Sequence, residues 1–277
     1  MLEYIQSGYA AVNGTELYYE VAGQGHALVL NHGWLGDYHF WDDQFEALAR
    51  HFKVVRYDIR GFGKSGKRKR DMGPFSMEGD LHGLLEFLGI KKTYLLGLSM
   101  GGGLAIDFTL QYPEMVDALI TVGSGLTGFK DVPDEQQKTQ FMAIQKAMGS
   151  GDVAGAAEVL LQMWTVGPHR EPEQVDAQIR DKVRAIMLHN FKRGDDAGVQ
   201  PQKVEPPAVD RLSEIHTPAL ILVGDKDVGN IQLIAQALAD GIPGARKVVI
   251  PDTAHYLHME KPQQFNELVV EFLKDLV

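Results

Sequence analysis

The chain has 277 residues, 44% hydrophobic and 23% charged, a globular composition that leaves no room for wholesale disorder. Its net charge of −10 and pI near 5.4 argue against gripping DNA or RNA by their phosphates and against docking to anionic membranes. It has no cysteine, which excludes disulfides, thiol catalysis and cysteine-ligated metals. The first residues, MLEYIQSGYAAVNG, carry neither a basic nor an apolar leader region, and no apolar run reaches the roughly 18 residues that span a bilayer, so a cytoplasmic location is expected.

Read in chain order, residues 4–12 and 15–22 alternate as two antiparallel strands, and Asn13-Gly14 between them is a hairpin turn rather than a glycosylation site. Apolar runs at Ala27–Asn31, Val54–Tyr57, Tyr94–Leu98, Ala118–Val122, Ala219–Val223 and Lys247–Ile250 predict buried parallel strands. Helical patterns separate them at Trp41–Arg50, Met77–Leu88, Met100–Gln111, Ile231–Ala239 and Gln263–Leu276. This alternation predicts a doubly wound α/β sheet, whose ligands sit beyond the carboxyl ends of the strands. From Gly125 to Leu212 the alternation stops. Helical stretches at Glu135–Met148, Val153–Trp164 and Glu173–Asn190 replace it, parted by turn signals at Gly149-Ser150-Gly151, Gly167-Pro168 and residues 194–201. We read 125–212 as a helical lid over a core made of 1–124 and 213–277. Its Phe129, Phe141, Met142, Met148, Met163, Trp164 and Met187 either line a substrate pocket or form the lid's own core.

The chemistry centres on Gly97-Leu98-Ser99-Met100-Gly101, reached from the apolar stretch Thr93-Tyr94-Leu95-Leu96 and followed by a helical pattern. A strand turning sharply into a helix around a serine presents a hydroxyl nucleophile at the top of a parallel sheet, and the turn is too tight for side chains on its flanks. A hydroxyl is a poor nucleophile near neutral pH. It needs a base in hydrogen-bond reach, and the base needs a group to fix its tautomer. Candidates stand after the later strands, Asp225 and Asp227 in one loop and His255 in the next. The order Ser99, Asp227, His255 is the chain order expected for such an elbow. The main-chain N–H of Met100, the residue after the serine, is then one oxyanion donor.

With these residues the sequence resembles the α/β-hydrolase family over nearly its whole length. Asn31-His32-Gly33-Trp34 looks like the family's oxyanion loop, and Asp58 to Ser65 looks like its D-x-R-G-x-G-x-S turn. Gly97–Gly102 matches the Ser-Met-Gly-Gly nucleophile elbow, and His255, Glu260 and Pro262 match the H-x-x-x-x-E-x-P spacing. The resemblance implies an α/β-hydrolase fold with an inserted helical lid, Trp34 N–H as second oxyanion donor, and Asp227 rather than Asp225 as acid. The alternative acid position reads Gly123-Ser124-Gly125, without a carboxylate. His255 is then the base, His32 a structural hydrogen bonder, and His258 a helix-face or loop histidine rather than a metal partner. The Asp58–Ser65 turn is scaffold, and Lys67-Arg68-Lys69-Arg70 after it is solvated surface.

The activity so implied is hydrolysis of a carboxylic ester or lactone, with no metal or cofactor and a small-molecule substrate as partner, without nucleic acid or membrane and with the oligomeric state left open. The turn and the elbow also look like those of 3-oxoadipate enol-lactonases, from which His32-Gly33-Trp34 departs. Hydrolysis of a carbon–carbon bond in a vinylogous diketone, with the same triad, is the alternative within the fold. A small-molecule receptor with vestigial turnover is the alternative outside enzymes. Arg170, Arg180 and Lys192 are candidates to meet a substrate carboxylate.

Overall fold

The structure, a computed structural model, describes residues 5–69, 73–193, 199–274 and 276. Strands β1 (Ile5–Val12) and β2 (Thr15–Ala22) form an antiparallel hairpin that closes with Val12 opposite Thr15. Asn13 (φ 44°) and Gly14 (φ 72°) are both left-handed there, as a two-residue hairpin turn requires. The remaining strands are β3 (Ala27–Asn31), β4 (Lys53–Tyr57), β5 (Thr93–Leu98), β6 (Val116–Val122), β7 (Ala219–Gly224) and β8 (Arg246–Ile250). They make one eight-stranded sheet in the order β1-β2-β4-β3-β5-β6-β7-β8, parallel from β4 onward. All eight expected strands are present. Residue 4 of the expected first strand, Arg70 of the basic run and residues 194–198 of the expected loop lie outside the described residues.

Successive side chains of a strand point to opposite faces, so the central strands feed two cores. Val29, Leu95, Leu119 and Ile221 pack under helices α2 (Met77–Phe87), α3 (Met100–Gln111) and α7 (Gly229–Gly241). Leu28, Leu96, Ile120 and Leu220 pack under α1 (Asp42–Leu48), α8 (Leu257–Glu260) and α9 (Pro262–Lys274). Burial on both faces explains why these strands read as continuous apolar runs. The expected helix from Trp41 starts earlier, as a tight 3-10 turn at Tyr38–Trp41 that Asp37 caps from His39 N–H at 3.0 Å.

Between β6 and β7 the described residues form no strand. They carry α4 (Glu135–Gly149), α5 (Val153–Leu160) and α6 (Ala177–Lys192). The expected helix to Trp164 ends sooner, because Leu161–Val166 loosens into a π-helical turn. No helix among the described residues is long and apolar enough to cross a membrane.

The chain steps from β3 outward to β4 and returns to β5 on the other side of β3. That reversal opens a crevice beyond the carboxyl ends of β3 and β5, where ligands of such sheets bind. The end of β3 is fixed there by Asn31, which donates to the Leu96 carbonyl at 3.1 Å and accepts from Tyr57 Oη at 2.9 Å.

Candidate active site

Strand β5 is fully buried and runs straight into Ser99, which is partly exposed and stands before the first residue of α3. Ser99 has φ 53° and ψ −116°. A non-glycine residue held there costs on the order of 1–3 kcal/mol and persists only where the surroundings impose it. Here they do. Ser99 N–H donates to Val122 at 2.9 Å, and its carbonyl accepts from the amides of Gly102, Gly103 and Gly125. Two glycines permit the turn by their lack of a side chain. A Cβ on Gly97 would collide with the Gly101 carbonyl oxygen, and one on Gly101 with that of Asn31. Met100, the first residue of α3, sits where a helix N–H has no intrahelical partner.

The loop after β3 packs on this elbow, so closely that a Cβ on Gly33 would lie 3.3 Å from Ser99 Cβ. His32 beneath it is buried and accepts from Ile59 N–H through Nε2 at 2.9 Å. Nδ1 therefore carries its proton and donates to the Gly33 carbonyl at 2.8 Å. Burial pushes its pKa down to about 4, so His32 stays neutral and ties the Gly33 loop to the Asp58 turn. That turn is held as scaffold. Asp58 accepts from the amides of Tyr38 and Lys64, both at 2.7 Å, and Arg60 forks onto Asp80. Lys67 and Lys69 beyond it are exposed.

The loops after β7 and β8 supply a carboxylate and an imidazole. His255 Nδ1 lies 2.9 Å from Asp227 Oδ2, with both side chains buried. A carboxylate only accepts, so Nδ1 donates and Nε2 is the basic nitrogen. The other carboxylate oxygen, Oδ1, accepts from Val228 N–H at 2.8 Å. Asp225 turns away and pairs with Lys226 at 2.8 Å. Gly123, at the end of β6, lets this pair approach the sheet. At φ 48° its missing Cβ would stand 3.0 Å from His255 Nδ1 and 3.2 Å from Asp227 Oδ2.

Ser99, His255, Gly33 and Trp34 border one cavity of about 50 Å³, closed by Leu160, Trp164 and Met187 from the helical segment between β6 and β7. A larger cleft of about 380 Å³ beside Asp37, Lys64 and Lys182 holds none of the site residues. Trp34 is 47% exposed and borders the cavity, so it forms the rim. Of the apolar residues singled out in the sequence, Trp164 and Met187 line the cavity, whereas Phe141, Met142 and Met148 face solvent and Met163 is in the core. Leu160 belongs with them, and nothing in the sequence sets it apart from Leu161 beside it.

Arg170 is not a substrate contact. It is buried and committed to Glu260 and to the carbonyls of Thr165, Val166 and Asp252, a set of partners that leaves no donor for a ligand. Arg180 and Lys192 do not line the cavity, and Lys192 is exposed. His258 is fully buried in α8, bonds the Phe40 carbonyl at 3.1 Å and packs against the Trp41 ring at a tilt of 42°, and burial pushes its pKa down to about 3.

A nucleophile-type elbow facing an Asp–His pair across strand ends agrees with a family model for the alpha/beta hydrolase fold that matches residues 26–262. The chain belongs to the α/β-hydrolase family. This α/β-hydrolase is 29% identical to a putative carbamate hydrolase, RutD, of Azorhizobium caulinodans, over 97% of this chain and 98% of the relative. It is 30% identical to a 2-hydroxy-6-oxononadienedioate/2-hydroxy-6-oxononatrienedioate hydrolase of Burkholderia vietnamiensis, over 95% and 93%. Among solved structures, an enol-lactonase from Burkholderia xenovorans superposes with TM-score 0.76 at 27% identity, over 96% of this chain and all of the other. The likeness extends over 93% or more of each of these proteins, which are named for different substrates.

Proposed function

We propose that this α/β-hydrolase cleaves a carboxylic ester or lactone through an acyl-enzyme on Ser99. The observation that carries the reading is the 2.9 Å bond from His255 to Asp227, with His255 and Ser99 on one cavity. Ser99 Oγ attacks the carbonyl while His255 Nε2 takes its proton. Asp227 holds the imidazole in the tautomer that can do so and stabilises the imidazolium. The amides of Met100 and Trp34 hold the oxyanion, where loss of one such donor costs on the order of 10²–10³ in turnover. His255 returns the proton to the leaving alcohol, and water that it then activates clears the acyl group. Residues 125–212 act as a lid that excludes bulk water and sets the acyl group's size. The reading calls for no metal and no cofactor.

A carbon–carbon bond hydrolase would run on the same three residues, and the Burkholderia vietnamiensis relative is named for a dienedioate. A dicarboxylate needs cationic partners, and no lysine or arginine lines the cavity among the described residues. This favours an uncharged acyl group. Steady turnover of p-nitrophenyl acetate, with Ser99→Ala silent both to it and to a fluorophosphonate label, is the expected result. Turnover retained in Ser99→Ala overturns the reading, and a burst that stops at one equivalent makes the protein a receptor rather than an enzyme.

A further inference from the structure

Arg170 and Glu260 form a buried ion pair, Nη1 to Oε2 at 2.6 Å and Nη2 to Oε1 at 3.1 Å. Such a pair is weak evidence for stability, since desolvation offsets its attraction. What it holds is more informative. Arg170 Nε donates to the Val166 carbonyl at 2.7 Å and Nη2 to that of Thr165 at 3.0 Å, which caps the π-helical turn Leu161–Val166. Its Nη1 also donates to the Asp252 carbonyl at 2.9 Å, on the loop that leads to His255. Glu260 Oε1 accepts from Ala254 N–H, the residue before His255, at 2.8 Å. One cation and one anion thus fasten two pieces of chain far apart in sequence.

The fastened pieces meet at the site. His255 N–H donates to the Trp164 carbonyl at 3.1 Å, and the indole lies 4.5 Å from the imidazole, tilted by 43°. π-Helical turns inside helices occur frequently at functional sites. This one swings Trp164 onto His255 and ends at Gly167, where a Cβ would collide with the Lys226 carbonyl oxygen, next to Asp227.

We propose that Arg170 and Glu260 are positioning residues for the reaction. They lock the turn bearing Trp164 to the loop bearing His255, and so set where the imidazole stands between Asp227 and Ser99. The proposal rests on the reading of His255 as the base. Neither residue lines the cavity, so they act through the main chain and leave substrate affinity alone. A displacement of about 1 Å in a catalytic group costs roughly 10²-fold in rate.

The test compares Arg170→Ala with the double variant Arg170→Met/Glu260→Gln, which strands no buried charge and keeps an acceptor for Ala254 N–H. Turnover of p-nitrophenyl acetate is measured alongside thermal unfolding, with Ser99→Ala as control. In folded double variant, kcat falls about 10²-fold while KM stays within about twofold. Guanidinium chloride at non-denaturing concentration restores part of kcat to folded Arg170→Ala and none to Asp227→Asn. Wild-type kcat in the folded double variant, or a loss confined to KM, overturns the proposal. So does failure of both Arg170 variants to fold, which makes the pair a folding element. Ser99→Ala that still turns over overturns the triad reading itself; a silent Ser99→Ala beside a fully active double variant overturns only the role of the pair.

Discussion

Replacing Asp227 by asparagine changes one atom and has a consequence that follows from the two bonds of its carboxylate. Oδ1 accepts from Val228 N–H and Oδ2 from His255 Nδ1. An asparagine has one oxygen. If it faces His255, its NH₂ is pushed against the Val228 N–H, donor against donor in a buried site. It therefore keeps its oxygen on Val228 and turns NH₂ to Nδ1. The imidazole must then accept at Nδ1 and carry its proton on Nε2, the nitrogen that takes the proton of Ser99 in the proposed mechanism. A wrong tautomer of this kind costs about 10⁴ in kcat, or roughly 5.4 kcal/mol of transition-state stabilisation. Asp227 does not line the cavity, so KM stays near the wild-type value. Asp225→Asn serves as the control, since Asp225 pairs with Lys226, and it should stay within about twofold of wild type. Steady-state kinetics of a p-nitrophenyl ester at neutral pH read both. Asp227→Asn with a tenth or more of wild-type kcat, or Asp225→Asn as the more damaging change, would show that Asp227 does not set the tautomer of His255.

Gly123→Ala places a methyl 3.0 Å from His255 Nδ1 at a left-handed φ, so it should cost on the order of 1–3 kcal/mol of stability and lower kcat, read by urea unfolding and kinetics. Unchanged kinetics would show that the pair has room to move. Met187→Ala widens the cavity over Ser99, and the kcat/KM ratio of hexanoate to acetate esters should rise by about tenfold or more, given 1–3 kcal/mol per methylene in an apolar pocket. No change in that ratio would place the acyl group elsewhere. His258 is neutral in the folded protein, with a pKa of about 3 against 6.5 in the unfolded chain. Its lowered pKa means that the stability it contributes is complete above pH 6.5 and is lost as pH falls towards 3. Relative to His258→Phe, the wild type should therefore lose about 2 kcal/mol between pH 6.5 and 4.5, measured by urea unfolding at each pH. Parallel curves would contradict a buried neutral His258.

The strands were legible because burial on both faces makes them continuous apolar runs, and Ser99 because its glycines are imposed by backbone contact. Asp227 and His255 were legible by position, each just past a strand end. Arg170 was not. Its partner Glu260 is 90 residues away, and a buried arginine looks the same in sequence as one facing a substrate. The apolar residues of 125–212 sorted poorly for a related reason. An amphipathic pattern says which residues share a face but not what that face meets, and Phe141 and Met142 on α4 meet solvent while Leu160 and Met187 meet the cavity. The π-helical turn that brings Trp164 onto His255 leaves the 3.6-residue period within a few positions, too briefly for periodicity to register.

In the proposed mechanism Ser99 carries the acyl group. Rapid acid quench of the protein during turnover of p-nitrophenyl acetate, followed by intact-mass and peptide-mass measurement, would trap that acyl-enzyme. One acetyl group per chain is expected, on the peptide containing Ser99 and absent from Ser99→Ala. Turnover with no acylated species, or an acetyl group on another residue that survives Ser99→Ala, would contradict it.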